Sequence, residues 1–150
     1  MGENGVSEIF VIKRNGRGRE PLNIDKIHDM VEYACEDVKG VSASQVEMNS
    51  GLQFYDNIPT DQIQQILIKS ASDLISLDNP NYQYVAARLL LYSLRKALFG
   101  RLWDHPSLKT HIKKCVKLGV YDKGILDWYT EADFDRMQTM LDHDRDYNFT

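Results

Sequence analysis

Residues Val11–Ile27 read "VIKRNGRGREPLNIDKI". β-Branched residues open the stretch, and with the residues before it "SEIFVIKR" predicts a strand. Asn15-Gly16 is a turn signal, and "GREPL" after it predicts a short return strand, closing a hairpin. Asn23 then stands where a helix N-cap belongs. The five basic residues Lys13, Arg14, Arg17, Arg19 and Lys26 face two acids, Glu20 and Asp25, in a chain whose net charge is -4. Such local asymmetry beside a helix N-terminus is the chemistry of an anion site. The competing reading is a solvated hairpin with ordinary surface charge. Strand alternation sends Lys13 and Arg14 to opposite faces, so the two are not expected to do the same work. Neither the Walker-type nor the dinucleotide glycine spacing is present.

Helical spacing continues outward from the hairpin. Ile27, Met30, Val31 and Ala34 define a first helix that Lys39-Gly40 is expected to end. Ser42 or Ser44 is expected to cap a second, with Val46 and Leu52 among its apolar residues. "YDNIPT" predicts a loop or short strand, and Thr60 a third N-cap. Ile63, Leu67, Ala71 and Leu74 would be that helix's buried stripe, widened by Ile66 and Ile75. "LDNPN" is a break, with Pro80 suited to a first helical position. "YQYVAARLLLYSLRKALF" then predicts a fourth helix stopped by Gly100. "GRLWDHP" marks a boundary. Ser107 to Leu118 predicts an amphipathic helix with Leu108, Ile112, Val116 and Cys115 inward. Thr130, followed by acids, predicts another helix start. The pattern is mainly α with a small β element: a hairpin and four helices, then two or three more.

At 150 residues, 43% hydrophobic and 27% charged, the chain suits one medium domain or a small domain with an appendage. The acidic balance argues against broad nucleic-acid binding. No apolar run is long enough for a membrane span, and "MGENGVSEIF" lacks the blocks of a signal peptide, so a cytoplasmic location is expected. Cys35 and Cys115 lack metal or redox spacing and predict free, packed thiols. His28, His105, His111 and His143 show no ligand spacing, and "DHDRD" (142–146) puts only Asp142 and Asp146 on one helical face.

"VIKRNG", "EPLNIDKI", "FYDNIPTDQI" and "NYQYVAARLLLYSLRK" followed by "FG" resemble the ATP-cone domain. Together with "LGVYDKGILDWYTEADFDRM" and "LDHDRDYNF", they resemble more narrowly the N-terminal part of the class Ia ribonucleoside-diphosphate reductase large subunit. The resemblance implies a four-helix cone capped by a β-hairpin or three-stranded sheet over 1–100. Residues 101–150 would be a helical segment leading to a catalytic barrel. It implies a regulatory site for ATP or dATP, with Mg2+, at Lys13, at Glu20, Pro21, Leu22, Asn23, Ile24, Asp25 and Lys26, and at Thr60 and Lys96. Gln64 and Ser93 depart from the family, where many members carry histidines in the same pocket. The family's radical and redox cysteines have no counterpart in this stretch, so the chain is not expected to be catalytic alone. The implied partners are the rest of the large subunit, as one chain or a separate polypeptide, and the radical-generating small subunit. Nucleic acid and membrane are not among them. The alternatives are a free-standing cone regulator and a decayed cone serving as an interaction module.

Overall fold

The computed structural model describes residues 8–150, so the Ser7 start of the expected first strand and the N-terminus before it lie outside the described residues. The hairpin forms as expected. β1 (Phe10–Ile12) pairs antiparallel with β2 (Arg19–Pro21), Val11 opposite Glu20. A short 3-10 turn at Arg14–Gly16 links them, with Gly16 (φ +66°) and Gly18 (φ +106°) taking left-handed backbone that side chains disfavour. β3 (Ile58–Pro59) adds on the other side of β1, parallel to it, giving the order β2-β1-β3. "YDNIPT" therefore supplies a true strand.

Four helices follow from the apolar spacing: α1 (Ile24–Cys35), α2 (Ala43–Gly51), α3 (Thr60–Asp73) and α4 (Tyr82–Phe99). Three more come later: α5 (Leu108–Lys117), the single turn α6 (Ile125–Trp128) and α7 (Glu131–Gln138). The chain divides into two compact units. One holds the described residues up to Ser93 with Tyr147–Thr150; the other is Leu94–Asp146. In the first, Val31, Val46, Ile58, Leu67, Val85 and Leu89 are buried. Each removes enough apolar surface to contribute about 1.5–3 kcal/mol before entropy is counted. In the second, Ile112, Cys115 and Phe134 are buried.

Several boundaries differ from expectation, each for a local reason. α1 ends at Cys35, short of Lys39-Gly40. Glu36 leaves helical geometry, Asp37 is left-handed (φ +58°), and Arg88 from α4 takes the carbonyls of Ala34 (3.2 Å) and Glu36 (2.6 Å). Ser42 occupies the α2 N-cap without a side-chain cap bond, while its N–H donates to the Tyr82 hydroxyl (3.0 Å). Leu52 follows the last residue of α2 and is exposed; Ile75 lies beyond α3 and is exposed too. The α3 N-cap is Pro59, with Thr60 as first helical residue, so the Thr60 hydroxyl is not the expected cap. Pro80 stands two residues before α4, its carbonyl accepting from the Gln83 N–H (3.2 Å).

Other expectations hold. Asn23 caps α1 through the Lys26 N–H (3.0 Å). Gly100 stops α4 at φ +76°, its N–H on the Lys96 carbonyl (3.0 Å). Thr130 and Asp133 cap α7 reciprocally.

Candidate functional site: the hairpin corner and the polar faces of two helices

The hairpin separates its adjacent cations. Lys13 leaves β1 toward β2 and pairs with Glu20 (2.7 Å), both side chains partly exposed. Arg14 opens the 3-10 turn and takes the other direction. Its Nη2 donates to Gln64 Oε1 (2.8 Å) on α3 and reaches Ser93 Oγ (3.5 Å) on α4. Gln64 and Ser93 are both buried, at 4% and 8% exposure. Arg14 Nε is buried with no hydrogen-bond partner. The guanidinium thus bridges neutral acceptors, and no ion pair holds it among those of the described residues.

Arg19 contributes differently. Its Nε donates to Asn57 Oδ1 (2.6 Å), its Nη2 approaches Asp56 (3.5 Å), and its guanidinium lies over the Phe10 ring (3.7 Å). It braces the sheet edge. Of the five cations in the opening stretch, Arg14 and Arg19 are therefore engaged in holding elements together. Lys13 faces its acid, and Arg17 and Lys26 are exposed.

The segment from Glu20 to Lys26 carries β2 into α1. Glu20 and Pro21 close the sheet, and the Leu22 N–H donates to Ile9 (2.8 Å). Asn23 occupies one N-terminal donor of α1. Ile24 is 70% exposed, an apolar side chain presented among polar neighbours, with Asp25 and Lys26 exposed beside it. Thr60 is half-buried at the first turn of α3, one turn from Gln64 on the same face. Lys96 is half-buried, one turn beyond Ser93 along α4. Its neighbour Arg95 is buried and pairs instead with Asp146 (3.1 Å). Among the predicted positions, the structure brings Lys13 to Glu20, and it gathers Gln64 and Ser93 around Arg14.

The resemblance gave Arg14 a basic family position but no separate role. The available signals were strand alternation and the paired departures at Gln64 and Ser93, which share this one partner. A pocket elsewhere is lined by Asp29, Glu32, Tyr33, Cys35, Glu36 and Ala43. It holds none of the predicted residues, and its three carboxylates oppose an anionic ligand. Burial pushes the Cys35 thiol up to about 11, so it is not poised as a nucleophile. Cys115 is buried, with Sγ 3.5 Å from His111. His105 and His143 stack at 3.9 Å, a contact that sequence spacing did not suggest. Among the described residues, no group of three or more His, Cys, Asp or Glu side chains could hold a metal, and no helix is long and apolar enough to cross a membrane.

A three-stranded sheet over four helices, with this hairpin-to-helix corner, defines the class. The sequence matches the ATP cone domain over residues 9–97, and the chain belongs to that family. Over cone and following segment together, it is 47% identical across 142 residues to the ribonucleoside-diphosphate reductase 1 subunit alpha of Escherichia coli (strain K12), covering 95% of this chain and 18% of that protein. It is 44% identical to the ribonucleoside-diphosphate reductase subunit alpha of Buchnera aphidicola subsp. Schizaphis graminum (96% and 19%). Against the Helicobacter pylori (strain J99) subunit alpha it is 38% identical (94% and 17%). The match falls on the N-terminal part of these subunits, and the chain spans less than a fifth of their length.

Proposed function

We propose that the chain is the effector-sensing part of a ribonucleoside-diphosphate reductase large subunit, with ATP or dATP as the ligand. In this reading the cone is residues 1–100, and 101–150 is the segment leading toward the catalytic portion. Lys13, Lys26 and Lys96 meet the phosphates as point charges. Asn23 and Glu20 serve the base or sugar by hydrogen bonding, Ile24 offers the base an apolar face, and Thr60 contributes a hydroxyl. Mg2+ would ride on the phosphates and keep several waters as ligands. The partners are the remainder of the large subunit and the radical-generating small subunit, in the cytoplasm, in service of deoxyribonucleotide synthesis.

The carrying observation is the family match over 9–97, whose span includes every proposed contact from Lys13 to Lys96. The structure adds physical support. Thr60 is not consumed as a cap, and the α1 N-terminus, capped by Asn23, opens directly from the hairpin. Lys96→Ala is expected to weaken nucleotide binding by about 1–3 kcal/mol, the range for a hydrogen bond to a charged group. Calorimetry on wild type and variant measures it. Equal affinity in the two would remove Lys96 from the site.

A further inference from the structure

From Ala87 to Leu98, α4 is apolar on the side it turns to solvent as well as on the side it buries. The inner side holds Tyr82, Val85, Leu89 and Tyr92, all buried. On the outer side Leu90, Leu94 and Leu98 recur every fourth residue and are 46%, 51% and 61% exposed. Ala87, Leu91 and Ala97 fall on the same side by helical spacing. Every exposed residue in that span is leucine or alanine. The neighbouring helix α3 shows the ordinary arrangement: its exposed positions are Asp61, Gln62, Gln65, Lys69, Ser72 and Asp73, all polar. Single exposed leucines are common on a protein surface, but a contiguous row without a charge marks a face that another element covers. A helix apolar all round belongs inside a larger body.

We propose that the face of α4 formed by Leu90, Leu94 and Leu98 is where the remainder of the large subunit packs on this segment, as a permanent, core-like contact. This rests on the large-subunit reading above and adds its docking face. Two observations choose this occupant over a separable one. The aligned stretch is 18% of the Escherichia coli subunit alpha and falls in its N-terminal part, so most of that subunit follows it and is available to cover the row. The row is also composed as a core is composed. Separable interfaces are enriched in aromatic side chains and arginine, and neither stands on it; permanent interfaces resemble a domain core cut in half. Nor does the row carry a charge that would steer a diffusing partner into register.

The test compares one face in two settings. Leu94→Cys and Leu98→Cys are placed, one at a time, in the 150-residue chain and in a full-length hybrid in which this chain replaces the 142 matched residues of the Escherichia coli subunit alpha. Maleimide labelling at each position is followed by peptide mass. Both thiols are expected to label at least roughly tenfold more slowly in the hybrid, because a covered thiol is closed to the reagent. Equal rates in the two settings would overturn the proposal. So would an equal slowing at Gln65→Cys, on the polar side of α3, since the protection would then not belong to the leucine row. Protection in the 150-residue chain alone that is lost on dilution would give the face to a second copy and overturn it too. Calorimetry with ATP on the same chain keeps the two readings apart. Nucleotide binding with an uncovered row sinks the docking face alone, and a covered row without nucleotide binding sinks the effector reading alone.

Discussion

Lys13 and Arg14 are adjacent in the chain and end in different media. Lys13 stays at the partly exposed edge with Glu20, while Arg14 enters the polar interior between α3 and α4. Strand alternation predicted a divergence, but the strand ends at Ile12, and the two side chains part where Arg14 opens the 3-10 turn. The destination of Arg14 was not legible, because Gln64 and Ser93 lie 50 and 79 residues away. Local pattern carries no information about such a meeting. Cys35 gives a sharper residue-scale case. With the thiol pushed up to about 11 by burial, little of it is thiolate at pH 8. Alkylation of Cys35 in the folded chain is therefore expected to be far slower than that of a free cysteine, and to recover on unfolding. Equal rates before and after unfolding would contradict the burial assigned here.

At the scale of elements, helix existence was readable and helix ends were less so. The stripe Ile63, Leu67, Ala71 and Leu74 predicted α3; the first three are buried, while Leu74 is its C-cap and half-buried. Leu67→Ala is expected to cost about 2–5 kcal/mol, as truncation in a fully buried site leaves both lost transfer energy and a cavity. Chemical denaturation measures it, and a loss under 1 kcal/mol would place Leu67 outside the core. The end of α1 escaped the sequence because Arg88, 54 residues from Ala34, satisfies the terminal carbonyls that Lys39-Gly40 would otherwise have been needed to close.

His28 joins α1 to α2 with a pH dependence of its own. Its Nδ1 lies 2.8 Å from Glu47, and Glu32 lies 3.3 Å from Nε2. The hydrogen bond and charge of Glu47, then the charges of Glu32 and Asp29, raise the imidazole above its ordinary 6.5. A raised folded value means that protonation favours the folded state. This contribution is full below about pH 6.5 and fades as pH climbs through the raised value. The stability difference between wild type and His28→Gln is expected to shrink as pH rises through neutrality. A difference that grows over that window would refute the pairing.

On the scale of the whole chain, Cys35 and Cys115 are its only cysteines; Cys115 is buried and Cys35 half-buried. The 150-residue chain with small subunit and reductant is expected to reduce no ribonucleoside diphosphate. Turnover by the pure chain would demand chemistry for which no residue here has been assigned. Regulation belongs to this scale because an effector controls an enzyme only by binding two of its states unequally. The family resemblance implies two imidazoles where Gln64 and Ser93 stand, so a complete reductase carrying this segment is expected to resist dATP, while a Gln64→His, Ser93→His double variant gains inhibition. Strong inhibition of the wild type at micromolar dATP would defeat that expectation.

The central claim is that the chain binds an adenine nucleotide through lysines at the hairpin, α1 and α4. Isothermal calorimetry of the wild-type chain with ATP and with dATP tests it most directly, at low and high salt. Saturable heats are expected with both nucleotides, weakened by added salt as lysine-to-phosphate contacts would be. Flat titrations at millimolar nucleotide would contradict it.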